Sequence, residues 1–455
     1  MQCNDCSRAD LLRAVAGRGL PAIEPGMPLP AGTGLSRRSF LLRSSSLALS
    51  IYGATALAPR LLEEGIASAT GRGDGRVLVS IFLPGGADSL SMLYPAGDAA
   101  YAKLRPTLQL PASTGRRFTE DDRLRWHPAL GPLESLHAEG KVTVFPAIGY
   151  TNADQSHFTS RHYWEVGATD ANLRTGWMGR FLDVVGSADN PLQGLSLDGT
   201  LQPALATARL PVAAVEGNAT YTLAASHVYD QVEVRMREAL GALGSIDTGG
   251  DRWRGVAANV TRQSNRLREQ LQPFSDTGVT SPVTYPDDNE SGFAGQLSGL
   301  AAMLAMGLPL KCVAFSAPGD YDTHSEQPDA LASGLSITAS CLHAFQRDLE
   351  ARGIADRVLV HVWSEFGRRA EQNGSDGTDH GAAGASFLIG SRVRGKMVGE
   401  FPGLQDGKGL DPDGNLVATS DFRGVYAALL EQWFGFDAAQ VIPNAASFGR
   451  PQLVA

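Results

Sequence analysis

Apolar residues along this chain gather into short unbroken runs rather than alternating stripes. Residues 77–83, 142–148, 311–316, 358–363 and 386–389 are aliphatic, β-branched or aromatic, and each run is closed by glycine, proline or a polar cluster. This is the pattern of strands buried on both faces. Helical spacing lies between them. Leu331, Leu335, Leu342, Phe345 and Leu349 fall close to one face of a helix that stops at Gly353, 293–308 is a shorter apolar helix, and 421–433 opens on Asp421 as an N-cap. Residues 175–182 begin an amphipathic helix, 193–221 break into short β-like pieces, 227–270 are charged and helical, and 276–292, rich in Thr, Ser, Pro and Asp, read as a long surface loop. Strands alternating with helices predict an α/β fold: a largely parallel central sheet with helices on both faces. With no internal repeat, 77–455 is expected to be one domain carrying insertions at about 193–292.

The runs end in chemistry. The first leads through Pro84-Gly85-Gly86 to Asp88, which reads either as a cap of the next helix or as a metal ligand at the sheet edge. The second leads through a turn to Ser156, His157 and Arg161 at a helix start, where free N–H groups and the dipole favour an anion; a plain N-cap serine is the other reading. The run 311–316 delivers Asp322 and His324, two residues apart and able to reach one ion from an extended loop. The run 358–363 ends at Ser364 and Glu365, and Asp379 and His380 follow between glycines. His361, inside its run, reads as a packed core histidine. Carboxylates and imidazoles converging on the carboxyl edge of a sheet suit one or two divalent metals of the zinc, manganese or iron type, with a hydroxyl at a helix start as nucleophile.

Composition adds exclusions and an address. The 455 residues carry a formal charge of -9, which argues against general affinity for nucleic acid. Ser36-Arg37-Arg38-Ser39-Phe40-Leu41-Leu42 is a twin-arginine export motif. The apolar run 47–58 after it is too short and interrupted to span a membrane stably, and Ala67-Ser68-Ala69 is a cleavage site that would start the mature chain near Thr70. Residues 36–69 are thus expected to be a signal segment preceded by a leader, 1–35. Cys3 and Cys6 in that leader lack the second ligand pair that a zinc site needs, and Cys312 and Cys341 read as buried free thiols rather than a disulfide. The expected location is periplasmic, secreted or at the cell surface, with the twin-arginine machinery as a transient partner.

Phe82 to Asp88, Ser156-His157-Phe158, Thr175-Gly176-Trp177, Asp322-Thr323-His324, Ser364-Glu365-Phe366-Gly367-Arg368, Gly377 to Gly381 and Thr419 to Arg423 together resemble a bacterial family of twin-arginine-exported proteins. That family is of unknown function and is grouped with the alkaline phosphatase and sulfatase-like superfamily. The resemblance implies an alkaline-phosphatase-like three-layer sandwich. It also implies Ser156 as nucleophile, Asp88 on a second metal, and Asp322 and His324 on a first. The superfamily's Ser-Asp-His-Gly strand end becomes Ser364-Glu365-Phe366-Gly367, so Glu365 takes the aspartate place and Phe366 stands where a ligating histidine is expected. His380 then serves as the late histidine; in the other register Asp379 and His380 are themselves the Asp-His pair. Either way one ligand is lost, and the second site would be a weaker magnesium or calcium site or none.

Phe158 and Ser160 do not suit formylglycine formation at Ser156, so a phosphate ester is favoured over a sulfate. The function expected is an exported metal-dependent hydrolase of small-molecule or polymer esters, with Arg161 and Arg368 as candidate clamps on the substrate. The alternative is a catalytically degenerate binding protein on the same fold. A metal-independent serine hydrolase is disfavoured because no G-x-S-x-G elbow surrounds Ser156.

Overall fold

The computed structural model describes residues 28–31, 49–50, 75–215, 230–271, 280–288 and 291–455. The twin-arginine motif, the Ala67–Ala69 site, Cys3 and Cys6 lie outside these residues, as does part of the loop expected at 276–292.

In chain order the strands are β1 (Leu49–Ser50), β2 (Val77–Phe82), β3 (Leu93–Tyr94), β4 (Arg125–Trp126), β5 (Val142–Gly149), β6 (Gly194–Ser196), β7 (Ala213–Ala214), β8 (Cys312–Ser316), β9 (Val358–Trp363), β10 (Arg368–Gln372), β11 (Thr378–His380), β12 (Gly384–Ile389) and β13 (Ser420–Asp421). Nine of them form one sheet in the order β1-β7-β6-β8-β2-β9-β12-β5-β13. All neighbours in it are parallel except β12, which runs antiparallel to both β9 and β5. The central strands are the apolar runs of the sequence, and the period of two sorts their side chains. Val77, Val79 and Ile81 enter one core, while Leu78 and Phe82 enter the other. The helices Phe293–Ala305 and Gln327–Ala351 pack into the first core. The helices Trp177–Val185 and Phe422–Ala428 pack into the second, as does Trp164 of the helix His157–Val166. Three layers, α/β/α, result.

This topology determines what reaches the carboxyl edge. The parallel strands β2, β5, β8 and β9 all release their chains there. Because β12 is reversed, its beginning lies at that same edge, so His380 just ahead of it arrives beside residues that leave the other strands. The β10–β11 pair is a hairpin that the apolar pattern does not reveal, since it alternates charges; its mark in the sequence is the turn-forming cluster Asn373 to Gly377. His361 is fully buried in β9, its Nε2 3.0 Å from Ser386 Oγ, and Cys312 and Cys341 are buried free thiols.

Of the two readings of Asp88, its contacts are those of a cap. It caps the turn Ser89–Met92, and its carboxylate is held from two sides by Arg105, with both side chains fully buried. Burial would raise its pKa, but Arg105, Ser91 and Gln327 together hold it below the ordinary range. Gln327 Nε2 donates to Asp88 at 2.6 Å, while its Oε1 accepts from Thr323 and Thr378, the neighbours of Asp322 and Asp379. The pair is therefore a buttress behind the sheet edge. Replacing Arg105 with Met leaves an uncompensated buried carboxylate and is expected to cost about 3–5 kcal/mol. Equilibrium denaturation checks this, with an added Asp88→Leu expected to recover most of the loss.

Candidate metal centre

Three histidines reach the carboxyl edge from three different elements, and each is fixed through Nδ1. His157, first residue of its helix, has Nδ1 2.7 Å from Glu365 Oε1. His380, at the end of β11, has Nδ1 2.8 Å from the Gln155 carbonyl. His324, on the loop after β8, has Nδ1 3.2 Å from Asp379 Oδ1. With Nδ1 engaged, each ring presents Nε2, and all three Nε2 atoms turn to one carboxylate. From Asp322 Oδ1 the distances are 3.5 Å to His157, 3.4 Å to His380 and 3.1 Å to His324. His324 and His380 bring their Nε2 atoms within 3.0 Å of each other.

Four nitrogen and oxygen donors at about 2.0–2.1 Å from a zinc-class ion would lie roughly 3.3–3.4 Å apart. The separations of Asp322 Oδ1 from the three Nε2 atoms, and of His324 Nε2 from His380 Nε2, are of that size. His157, Asp322 and His380 also lie mutually within 4.8 Å, a group able to hold an ion. Two further observations fit a cation. His157 Nε2 and Asp322 Oδ2 are buried yet make no hydrogen bond, and such orphans are rare unless something else satisfies them. In addition, two nitrogens 3.0 Å apart, with no carbonyl or carboxylate between them, are a poor pair on their own but natural neighbours around an ion. The donor set of imidazoles and one carboxylate suits zinc or a related transition metal.

Electrostatics follow the same geometry. Burial pushes Asp322 up, but the imidazoles of His157, His324 and His380 and the Arg368 guanidinium around it hold it well below the carboxylate range. Burial pulls His157 down, yet Asp322 and Glu365 prevail and raise it to about 9. Asp322 raises His324, and burial lowers His380. Arg368 is fully buried. It ties together the Gly86, Thr378, Gly85 and Tyr321 carbonyls and the Asp322 carboxylate, acting as the rivet of the edge rather than a free clamp.

Glu365, expected as a ligand, lies behind His157. Its oxygens accept from the Gly85 and Gly86 amides and from Ser364 Oγ as well as facing His157. The two glycines have φ of 114° and 72°, and a Cβ on Gly86 would fall 2.3 Å from the Phe366 ring, so the turn that cradles Glu365 needs glycine. Asp379, also expected as a ligand, is exposed and orients His324. Phe366 is buried and walls the centre, its ring 4.8 Å from that of His157 and 4.9 Å from that of His380.

Carboxylate behind imidazole is the arrangement that raises ligand basicity and fixes ring orientation. Glu365→Gln retains an acceptor for the glycine amides but removes the charge. It is expected to weaken divalent-metal affinity about 10–100-fold, measurable by competition against a chelator of known affinity.

Ser156 caps the helix His157–Val166, its Oγ accepting from the Phe158 amide at 3.3 Å, and its own amide donates to Asp154 Oδ1 at 2.8 Å. It lies in the chain between Gln155 and His157, which hold or provide two of the imidazoles. Arg161 is turned within its own helix: Nε donates to Glu165 at 2.8 Å, and the guanidinium lies 4.3 Å over the Phe82 ring. Of the expected residues, Asp322, His324, His380 and His157 thus face one another, Glu365 and Asp379 stand behind them, Ser156 borders them, and Asp88 and Arg161 are engaged elsewhere. That His157 presents Nε2 to Asp322 is not visible in the sequence; the Glu365 carboxylate that turns it is 208 residues away.

No curated protein matches the sequence. Among solved structures, the chain is similar to the C-terminal periplasmic domain of EcEptC from Escherichia coli in complex with Zn (TM-score 0.35, 9% identity, covering 82% of this chain and 88% of that one). It is also similar to the PsFucS1 sulfatase from Pseudoalteromonas sp. (0.35, 12%, 84% and 72%) and to a protein of the alkaline phosphatase superfamily from Vibrio parahaemolyticus (0.31, 10%, 85% and 77%). These likenesses are distant, and the chemistry of the centre follows from its own geometry. A family model described as "Protein of unknown function (DUF1501)" matches residues 143–444, which span His157, Asp322, His324, Glu365 and His380, and the chain belongs to that family.

Proposed function

We propose that this protein is an exported metal-dependent hydrolase of phosphoric or sulfuric esters, phosphate favoured, with one zinc-class ion held by His157, Asp322 and His380 and with His324 beside them. The observation that carries this reading is the shared orientation of three imidazoles, each anchored at Nδ1 and each presenting Nε2 to Asp322. When bound, the ion supplies Lewis-acid charge that polarises an ester oxygen and lowers the pKa of a nearby hydroxyl. Ser156 is the nucleophile in this reading. Its neighbours in the chain are tied to the centre, and the helix it opens is ten residues long, with a dipole that favours an anionic ester at its start. Phe366 excludes water from the His157 and His380 rings.

One ion is favoured over two, because Asp88 is already paired with Arg105 and the Glu365 oxygens are taken by His157 and two amides. Export by the twin-arginine route, with cleavage near Thr70 and a periplasmic, secreted or cell-surface destination, belongs to the same reading. No described helix is long and apolar enough to cross a membrane. A binding protein on this fold is the second reading, and Phe366 in a ligand's place favours it. Elemental analysis of protein exported in native form, followed by assay against aryl phosphates, aryl sulfates and their diesters, separates the two. One ion per chain with metal-dependent turnover is expected, and a full ion with no turnover across the panel would favour the binding protein.

A further inference from the structure

The helices Asp230–Gly244 and Arg252–Leu271 pack against each other within the expected insertion. The second is fastened to the body of the fold: Leu267 and Leu271 enter the first core, and Arg266 Nη1 donates to the Asp189 carbonyl at 2.8 Å. The first leans on the second through its small residues. The Gly244 carbonyl accepts from Arg262 Nη1 at 2.7 Å, and a Cβ on Gly241 would fall 3.4 Å from Asn265 Nδ2.

Away from that contact the first helix is apolar and open. At about 100° per residue, Val232, Met236, Ala239 and Leu243 fall within about 60° of one another, and Gly241 lies on the far side. Ile246 keeps the spacing just past the helix end. Val232 is 47% exposed, Met236 40%, Leu243 53% and Ile246 47%, and Ala239 is exposed as well. Among the described residues seven large apolar side chains are exposed and five of them lie between 232 and 246, so this is a patch rather than scatter. Successive steps of four, three, four and three residues make it the a/d seam of a two-stranded coiled coil.

The seam fits a second copy of itself when the two helices run antiparallel. Layers of a against d then set Val232 on Leu243 of the second copy and Met236 on Ala239, so the long methionine fills the space over the alanine. A parallel pair would set Met236 on Met236 and Ala239 on Ala239, crowding one layer and emptying the next. Charge agrees. Arg235 and Glu238, both exposed, border the seam on one side. The antiparallel pair brings Arg235 of each copy beside Glu238 of the other, whereas the parallel pair turns Arg235 toward Leu240.

We propose that the helix Asp230–Gly244 is a dimerisation surface, on which two copies of this chain meet in a two-fold antiparallel helix pair centred between Met236 and Ala239. The pairing is independent of the chemistry at the metal centre. One 15-residue helix per copy covers less than the roughly 800 Å² per partner of a standard interface. The dimer is therefore expected to form at micromolar concentration, with a Kd of about 10 µM.

Sedimentation velocity of the full chain from about 1 to about 100 µM tests this, with wild type expected to pass from monomer to dimer across that range. Met236→Glu combined with Leu243→Glu sets like charges in the seam. This variant is expected to stay monomeric throughout, with far-UV circular dichroism and metal content unchanged, because both side chains are exposed. Arg235→Glu alone and Glu238→Arg alone are each expected to weaken dimerisation about three- to fivefold at low salt, and the two together to restore it to within about twofold. A wild type that stays monomeric, a Met236→Glu, Leu243→Glu variant that still dimerises, or charge reversals that do not compensate would each overturn the proposal.

Discussion

Asp322→Asn is expected to empty the metal centre, taking bound divalent ion from one per chain to below about a tenth under conditions that saturate the wild type. Every donor of the site is arranged around this carboxylate, with the three Nε2 atoms 3.1–3.5 Å from Oδ1. An amide offers one neutral oxygen, and its NH₂ would face imidazole nitrogens that need an anion or a cation between them. The change also removes the anionic partner of Arg368, whose side chain is fully buried. Breaking one half of a buried pair costs about 3–5 kcal/mol, so the metal-free variant should be less stable than metal-free wild type. Two measurements check this: metal content by elemental analysis and denaturation of both proteins in chelator. Near-wild-type metal content in a folded Asp322→Asn protein would show that the imidazoles do not gather around this residue to hold an ion.

Ser156→Ala is expected to lower kcat/KM for an aryl phosphate by about 10³-fold or more, the scale seen when a nucleophile is removed and the remaining site still binds substrate. Metal content should be unchanged, because in this reading the ion is held by Asp322 and the histidines around it. The cap contributes little: its bond to the Phe158 amide is long at 3.3 Å, and loss of such a cap costs about 1 kcal/mol. The split between intact metal and lost turnover separates a nucleophile from a merely structural serine. Retained turnover would assign the attack to a water and leave Ser156 as an N-cap.

Much of the centre could be anticipated from the residues that end the apolar runs, because a parallel strand delivers its last residues to one edge whatever lies between strands. Asp322, His324, Glu365, Asp379 and His380 all follow such runs and so fall at that edge. Their division of labour was not legible. Glu365 and Asp379 look like ligands in the sequence, and only the fold shows each lying against the Nδ1 of a histidine. Asp88 also follows a buried strand, but Arg105, 17 residues later, takes its charge. Nothing in the local pattern around Arg105 distinguishes it from a surface arginine.

The sequence puts His157 beside the nucleophile as a catalytic residue, and its contacts place it in a group able to hold an ion. The difference lies in a ring rotation controlled by a carboxylate 208 residues distant. His380 reaches the edge because β12 is reversed in an otherwise parallel sheet, a matter of strand pairing that short apolar runs do not encode.

The sequence by itself determined the three-layer α/β class, the family, and the set of polar residues that arrive at the carboxyl edge. Buried aliphatic runs and the glycine or acidic stops after them are local properties of the chain. Which of those residues face one another, which stand behind them and which are neutralised was decided only in the tertiary structure. Hydrogen-bond direction, ring orientation and charge pairing depend on atoms brought together within about 3 Å from parts of the chain hundreds of residues apart.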